Sequence, residues 1–301
     1  MKGVFASALA LVLVAAVATS AHERPDDNFA AVQVPINADG VWPVVMDGDL
    51  SDWDNVPSVF WTTQDDLTEA IHGLGDPDPA NLATRIILGW SPETNLFYFM
   101  EERFDDQFFG YTDTNYENTE IAIDFDHSGD EQFNDVAGAG LDAERWEGAL
   151  TQNYRWQLHI EGELFLWGAA PWAGERPYAG VEYNIEGDTD GGAVNPFLEM
   201  WVTPFDDLPT SSSGIDDPDV VVHDLTEGEI IGVGFAAVDD DVPADGAYNG
   251  YWINSGNVNL YFLANAFVDY TLLGYDASIW VPVVSAVEQD SWGRIKDTFA
   301  N

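Results

Sequence analysis

Residues 124–135 have the spacing of a calcium-binding loop. Oxygen-bearing side chains occupy positions 1, 3, 5, 7, 9 and 12 of this stretch, and Gly129 occupies position 6; the six residues are Asp124, Asp126, Ser128, Asp130, Gln132 and Asp135. Calcium takes about six to eight oxygen ligands, and alternating acids on a tight turn supply them. The shorter Asp135 stands where an EF-hand has Glu, and the stretch follows a predicted strand. We therefore expect a Ca²⁺ loop that is not an EF-hand, with a plain acidic hairpin loop as the alternative.

Shorter acidic runs are weaker candidates for the same chemistry. They lie at residues 186–191 and 239–241, and each brings several carboxylates together within a turn.

Aromatic side chains in loop-like segments form the second set of candidates. A sugar ring needs a flat aromatic face for its C–H groups, with polar groups at the edge. The loop-like Trp candidates are Trp61, Trp167 and Trp172, and Trp172 lies in a segment rich in Pro and Gly that ends at Tyr178. Most Trp residues of a β-sandwich pack in the core. We expect that of Trp90, Trp156 and Trp201, and a sugar contact for Trp172, Tyr178 and Trp61.

The sequence offers no recognisable catalytic set. Its five histidines form neither an HExxH helix nor a metal-ligand spacing, and it has no G-x-S-x-G elbow and no P-loop. Carboxylate pairs carry little information in a chain with 54 Asp and Glu residues. We therefore assign no catalytic residue, and we keep a glycoside-active enzyme as a less favoured alternative.

The charge excludes two classes of partner. The formal net charge is −45, with only 9 Lys and Arg residues, so long-range repulsion opposes both nucleic acid and anionic membrane surfaces. The absence of Cys rules out disulfides and thiolate metal sites. At 46% hydrophobic and 13% aromatic residues, the chain has enough material for a core. The excess of acids is typical of a protein adapted to salty water, which screens the self-repulsion.

Period-2 alternation predicts the elements that position these residues. It is clear at residues 154–161, 181–186 and 121–125, and residues 85–90 and 96–100 flank a turn-rich connection typical of a hairpin. Further strands are expected at 199–203, 230–238, 251–254, 258–263 and 267–273. Helical patterns occur only at residues 66–74 and in the tail after Asp290. The predicted fold is an all-β, antiparallel jelly-roll-like β-sandwich with a short C-terminal helix.

The chain divides into four predicted segments. Residues 1–21 have a positive start, an apolar run and small residues before a cleavage point, which indicates a signal peptide and a secreted or periplasmic protein without membrane insertion. Residues 22–39 form a leader segment of weak pattern, residues 40–275 the sandwich, and residues 276–301 a tail with a short amphipathic helix.

Five motifs, in order, resemble those of the family 9 carbohydrate-binding modules, also described as DOMON-like sandwiches. VMDGDLSDW at residues 45–53 is similar to the family's I-D-G-x-L-D-E-W opening, and LGWSPETNLF at 88–97 to its L-x-W-D-x-x-x-L-Y hairpin. ENTEIAID at 117–124, WVTPFDDL at 201–208 and IGVGFAAVDDD at 231–241 resemble three later motifs. The resemblance implies a jelly-roll sandwich that binds sugars and carries structural Ca²⁺.

The chain departs from the family where its best-understood members clamp a sugar between two Trp rings. The stretch before residue 117 offers Tyr111 and Tyr116 in place of the first ring, and the second region offers Tyr261. We expect an exported, non-catalytic protein that binds a poly- or oligosaccharide, with Ca²⁺ in its loops, within a system for polysaccharide recognition or degradation. The alternative is a structural or surface-assembly protein without affinity for sugars.

Overall fold

The computed structural model describes residues 29–35, 44–112, 116–129, 132–135, 146–158, 163–242, 249–261 and 263–280. In chain order, the strands of these residues are β1 (Phe29–Gln33), β2 (Thr62–Thr63), β3 (Thr68–Glu69), β4 (Leu82–Ser91), β5 (Leu96–Asp105), β6 (Asn118–Asp124), β7 (Phe133–Asp135), β8 (Trp146–Ala149), β9 (Gln152–Gln157), β10 (Glu163–Trp167), β11 (Ala179–Gly187), β12 (Val194–Val202), β13 (Phe205–Pro209), β14 (Val221–Val222), β15 (Ile230–Asp239), β16 (Gly250–Ile253) and β17 (Val268–Leu272). Short 3-10 helices span Leu50–Trp53, Ser58–Phe60, Gln64–Asp66, Pro171–Gly174, Val258–Tyr261 and Ala264–Ala266, and α1 spans Ala277–Trp280.

A large sheet dominates the described part of the chain. Its main path runs β10-β9-β6-β15-β17-β1-β4-β5-β12-β11, and β2, β3 and β16 pair at its side. Neighbouring strands are antiparallel except at β1, which is parallel to both β17 and β4. A smaller sheet has the order β14-β13-β8-β7.

The large sheet curls until its two halves face each other. Phe99 of β5 stacks on Phe235 of β15 with ring centroids 5.6 Å apart, although three strands of the path separate β5 from β15. Trp156 of β9 lies 5.5 Å from Tyr183 of β11, near the opposite end of the path. The main core fills the space between the halves. The predicted all-β, jelly-roll-like sandwich with a short helix near its C-terminus is thus confirmed.

Two smaller apolar clusters cover the outer faces of the sheet. In the first, Trp53, Ile87 and Met100 pack with Ile279 of α1. In the second, Ala236 and Tyr251 pack under Leu260 and Phe267. Because both faces of the central strands are buried, β15 shows a nearly continuous run of buried residues.

The predicted β4–β5 hairpin is present. Ser91 pairs with Leu96, and Asn95 takes the left-handed conformation with φ 52° that Asn tolerates in tight turns. The side-chain amide of Asn95 also donates to the carbonyl oxygen of His223 at 2.6 Å and accepts from the backbone N–H of Leu225 at 3.0 Å.

The motif at residues 45–53 is tied to the sheet by one buried carboxylate. Glu199 of β12 accepts hydrogen bonds from the backbone N–H groups of Asp47 and Gly48 and from the indole N–H of Trp53, each at 2.9 Å. Gly48 has φ 78°, and a Cβ there would stand 2.9 Å from the backbone of Tyr183. The motif at residues 45–53, which carries part of the family resemblance, is therefore fixed against β12 by these contacts.

Three segments differ from expectation. Residues 66–74 are not a helix: the 3-10 helix Gln64–Asp66 is followed by β3. Residues 258–263 are not a strand, because Val258–Tyr261 is a 3-10 helix that packs on the sheet. Residues 29–33, inside the segment described as a leader, form β1 at the centre of the large sheet. The signal peptide and the helix expected after Asp290 lie outside the described residues.

Candidate functional site

Trp172 lies on the 3-10 helix Pro171–Gly174 and points largely inward. Its ring packs against Phe205 at 5.8 Å and against the partly exposed Tyr178 at 4.8 Å, both edge to face. Its indole N–H donates to the backbone carbonyl oxygen of Ser212 at 3.1 Å. Trp172 and Tyr178 are therefore in contact, and Trp172 packs the loop against Phe205 of β13.

The described surface next to this loop contains a cleft of about 400 Å³. Apolar groups of β10 and of the 3-10 helix form its walls, and its lining residues are Leu164, Leu166, Trp167, Gly168, Ala169, Pro171, Gly174, Glu175 and Thr210. The aromatic residue of the cleft is Trp167, and the guanidinium of Arg155 lies over its ring, 4.8 Å from the ring centroid. Arg155 is itself paired with Glu120 at 2.6 Å, which fixes the stack.

Trp61 occupies a similar stack elsewhere on the surface. The guanidinium of Arg85 lies 5.0 Å from the centroid of its ring, and the indole N–H donates to the carbonyl oxygen of Val56 at 2.9 Å. Trp61 is half-buried, and it packs against the outer cluster around Trp53.

Tyr111 and Tyr116 come together at the start of β6. They form an isolated antiparallel bridge, and their rings meet edge to face at 5.8 Å. Both are partly exposed, as a sugar contact requires. The backbone of Tyr261 ends a 3-10 helix, and its side chain lies outside the described part of the structure.

The predicted calcium loop begins as a tight turn at the end of β6. The buried carboxylate of Asp124 accepts the backbone N–H of Gly129 at 2.9 Å, and Asp126 accepts that of Ser128 at 3.0 Å. Burial opposes ionisation of Asp126, but its contacts with Asp124 and Ser128 outweigh that effect and lower its pKa. His127 and Gly129 both have positive φ, which lets the turn close.

In the second half of the predicted calcium loop, Gln132 contributes to the core of the sandwich. Gln132 is fully buried, its amide donates to the carbonyl oxygen of Leu260, and its side-chain oxygen accepts from Asn153 at 3.3 Å. This side chain therefore joins the β9 strand to the 3-10 helix Val258–Tyr261. Asp130 and the side chain of Asp135 lie outside the described residues, so the expected ligand set of six is visible only in part.

Carboxylates converge at the opposite end of the sandwich. Asp105 at the end of β5, Glu117 before β6 and Asp239 at the end of β15 each bring an oxygen within 4.8 Å of the others. Asp106 and Asp241 form a second group with the same Asp105. Of these, only residues 239–241 stand out in the sequence as an acidic run. Asp105 and Asp106 are neighbours in the sequence and Glu117 is a single acid, and the fold brings them together with Asp239 and Asp241.

His223 lies beside the predicted calcium loop, with its ring stacked on that of Phe125. It lies between Asp206, 2.8 Å from Nδ1, and Glu229, 2.9 Å from Nε2. Burial would lower the pKa of His223, but its bonds to the two carboxylates outweigh burial and raise the pKa. Its charge also helps to lower the pKa of Asp126.

Among the described helices, none has the length and apolar character needed to cross a bilayer. No protein-family model matches the chain, and no curated protein matches it.

Two solved structures similar to the chain are family 9 carbohydrate-binding modules from Caldicellulosiruptor kristjanssonii. The structure in complex with cellotriose is 12% identical, with a TM-score of 0.49, over 86% of this chain and 100% of that one. The structure in complex with glucose is 14% identical, with a TM-score of 0.46, over 81% of this chain and 96% of that one. The family that the sequence motifs resemble is also the family of these two structures, at low sequence identity.

Proposed function

We propose that the protein binds an oligosaccharide or polysaccharide chain in the cleft beside β10. The observation that supports this proposal is an Arg-stacked Trp, Trp167, on the wall of a mostly apolar cleft that also carries a carboxylate, Glu175, and a hydroxyl, Thr210. An aromatic face receives the C–H side of a pyranose, and the polar groups at the rim accept and donate hydrogen bonds with its hydroxyls.

The shape of the cleft suits this ligand. Its volume of about 400 Å³ lies within the ~300–1,000 Å³ typical of small-molecule sites. Edge-to-face packing of Trp172 on Phe205 and Tyr178 holds the 3-10 helix Pro171–Gly174, which contributes Pro171 and Gly174 to the cleft, so little ordering entropy is lost there when a sugar binds. The net charge of −45 favours a neutral glycan over an anionic one.

The test is glycan binding by Trp167→Ala compared with Trp61→Ala. Both variants remove a half-buried Trp that carries an arginine, so Trp61→Ala controls for the loss of such a stack away from the cleft. We expect native protein and Trp61→Ala to bind a common set of neutral glycans on an array and in calorimetry. Trp167→Ala should bind at least about fivefold more weakly, since the loss of one aromatic platform costs about 1 kcal/mol or more.

Equal affinity of native protein and Trp167→Ala would contradict the assignment to this cleft. Loss of glycan binding in Trp61→Ala alone would indicate that the sugar site is at the surface around Trp61. Absence of binding to every glycan would favour the structural or surface-assembly role instead.

Export and calcium complete the proposal. Removal of residues 1–21 would deliver the mature chain to an extracellular or periplasmic space, where Ca²⁺ is available to the loop at residues 124–135. The closed turn from Asp124 to Gly129 and the lowered pKa of Asp126 support an ionised, preorganised cation loop.

A further inference from the structure

The cleft beside β10 carries formal charge of one sign only. Among its lining residues, Glu175 is the single ionisable one, and none is Lys, Arg or His. The other polar side chains of the lining are the hydroxyl of Thr210 and the indole of Trp167. A neutral sugar uses a carboxylate only as a hydrogen-bond acceptor, whereas a ligand with a positive group also gains from the opposite charges. The charge of the lining therefore bears on which class of glycan the cleft prefers.

The backbone fixes Glu175 at the edge of the cleft. Its N–H donates to the carbonyl oxygen of Trp172 at 3.2 Å, and its own carbonyl oxygen accepts the N–H groups of Tyr178 and Ala179 at 2.9 and 3.1 Å. At the preceding residue, a Cβ on Gly174 would stand 3.1 Å from the Cβ of Leu166, so this segment lies directly against β10. A carboxylate on a hydrogen-bonded segment loses less ordering entropy when it binds a ligand.

The arginines near Glu175 are committed to other carboxylates. Arg176, the next residue, pairs with Glu182, and its guanidinium lies over the ring of Trp201, 4.6 Å from the ring centroid. Arg155, which lies over Trp167, pairs with Glu120. Within the described residues, no ion pair involves Glu175. The carboxylate in the cleft therefore has no basic partner from this part of the chain.

Further acids lie on both sides of Thr210 in the sequence. The loop that follows it carries Asp216, Asp217 and Asp219, and none of these three forms an ion pair with a described residue. The strand that precedes it, β13, contains Asp207, whose pKa is raised by burial and also by the negative charge of Asp219. Negative charges therefore repel one another within the segment that brings Thr210 to the cleft. A positive ligand relieves such repulsion, and an anion adds to it.

We propose that the cleft prefers a glycan that contains a basic amino sugar, with a free rather than an acetylated amine. This inference rests on the proposed function, because the ring of the amino sugar would lie on Trp167 as that of any pyranose would. The ammonium group would donate to Glu175, and a hydrogen bond between two charged groups is about twice as strong as one between neutral groups. The apolar walls of the cleft reduce the competition from water for this bond.

The charge of the whole chain favours the same class of ligand. With a formal net charge of −45, the protein attracts a cationic oligosaccharide at long range, and a neutral one gains nothing from this field. Two variants that each lose one negative charge retain nearly the same field. The contact with Glu175 depends instead on a single side chain. A pair of charge-matched variants therefore separates the contact from the general attraction.

The experiment compares the full chain with Glu175→Gln and Glu186→Gln. Glu186 is also exposed, but it lies in β11 seven residues beyond Ala179, which is about 23 Å along the strand at ~3.3 Å per residue. The probes are three β-1,4-linked trisaccharides, made of glucosamine, of N-acetylglucosamine and of glucose. Calorimetry measures their binding at a pH below the pKa of the sugar amine and again at a pH above it, and thermal melts show that both variants fold.

Below the pKa of the amine, we expect native protein and Glu186→Gln to bind the glucosamine trisaccharide more tightly than the acetylated one by at least about fivefold. In Glu175→Gln this ratio should be at least about threefold smaller, because the amide of Gln carries no charge. Above the pKa of the amine, the preference of native protein should disappear, since both sugars are then neutral.

Two results would overturn the proposal. One is equal affinity of native protein for the glucosamine and N-acetylglucosamine trisaccharides at the lower pH. The other is a preference for the free amine that is as large in Glu175→Gln as in Glu186→Gln, which reflects only the general charge of the chain. Either result leaves the proposed function in place if the glucose trisaccharide binds and Trp167→Ala weakens it. Failure of all three sugars to bind would contradict the proposed function, and this inference with it.

Discussion

A single buried carboxylate, Glu69, organises the turn that follows β3. Its side-chain oxygens accept backbone N–H groups from Ile71, His72, Gly73 and Leu74, and the ring of His72 lies 3.0 Å away. Burial alone would raise the pKa of Glu69, but these hydrogen bonds lower it from 4.5 to about 2. The sequence pattern predicts a helix for residues 66–74. In the structure, the hydrogen bonds to Glu69 hold residues 71–74 in a turn instead.

We expect Glu69→Gln to lower the free energy of unfolding by about 1–2 kcal/mol at neutral pH, because it removes charge-assisted hydrogen bonds to several amides. A depressed pKa stabilises the fold fully above the unfolded value of 4.5, and the contribution disappears as the pH falls towards 2. Urea unfolding of both proteins at a series of pH values measures this. A difference that stays constant from pH 6 to pH 3 would refute the role of the charge.

At the residue scale, the sequence indicates which side chains are candidates for a site better than it indicates which residues those side chains contact. The spacing at residues 124–135 predicts a calcium loop, and in the structure Asp124 and Asp126 accept backbone N–H groups within a tight turn. It could not show that Gln132 points into the core, since its partner Leu260 lies 128 positions further along the chain. The cluster of Asp105, Glu117 and Asp239 is hidden for the same reason: its members lie at the ends of β5 and β15 and just before β6, and only the fold joins them.

At the scale of elements, β1 joins the two halves of the large sheet. It is parallel to β17 on one side and to β4 on the other, so both of its edges are hydrogen-bonded. Ala31 and Val32 are buried, with at most 1% exposed. Its FAAVQ sequence lacks alternation because both faces are covered, and four apolar residues followed by Gln carry no period that would distinguish a strand from a leader. The alternating strands β9 and β11, by contrast, were predictable.

Val32→Asp should therefore destabilise the whole sandwich. It places an unpaired charge in the cluster with Trp53 and Ile87, which costs about 3 kcal/mol or more. Gln33→Glu is the matched control, because it changes charge at a half-buried position of the same strand and should shift stability by less than about 1 kcal/mol. Chemical denaturation followed by Trp fluorescence compares the two. Similar midpoints for both variants would mean that β1 does not contribute to the cooperative core.

At the scale of the whole molecule, positive charge is scarce and is used for packing. The described arginines at 85, 155 and 176 lie over the rings of Trp61, Trp167 and Trp201, and each is also paired with a carboxylate. The fourth described arginine, Arg103, is buried with Glu101. Within the described residues, the arginines are committed to these contacts, so the surplus of acids must be balanced by the solvent. The overall charge, unlike the sites, follows directly from the sequence.

We expect salt to stabilise the protein over a wide range of salt concentrations. With a formal net charge of −45, self-repulsion opposes compaction, and the Debye length falls from about 10 Å at 0.1 M to about 3 Å at 1 M salt. We expect the melting temperature in chelator to rise steadily from 0.1 M to above 1 M NaCl, and similarly with KCl because screening does not distinguish the two. Ca²⁺ bound at a site should instead saturate at low concentration and add to the salt effect. A melting temperature that does not change with NaCl concentration after chelation would show that the acids are not a source of net repulsion. Any effect of cations on stability would then come from ions bound at specific sites.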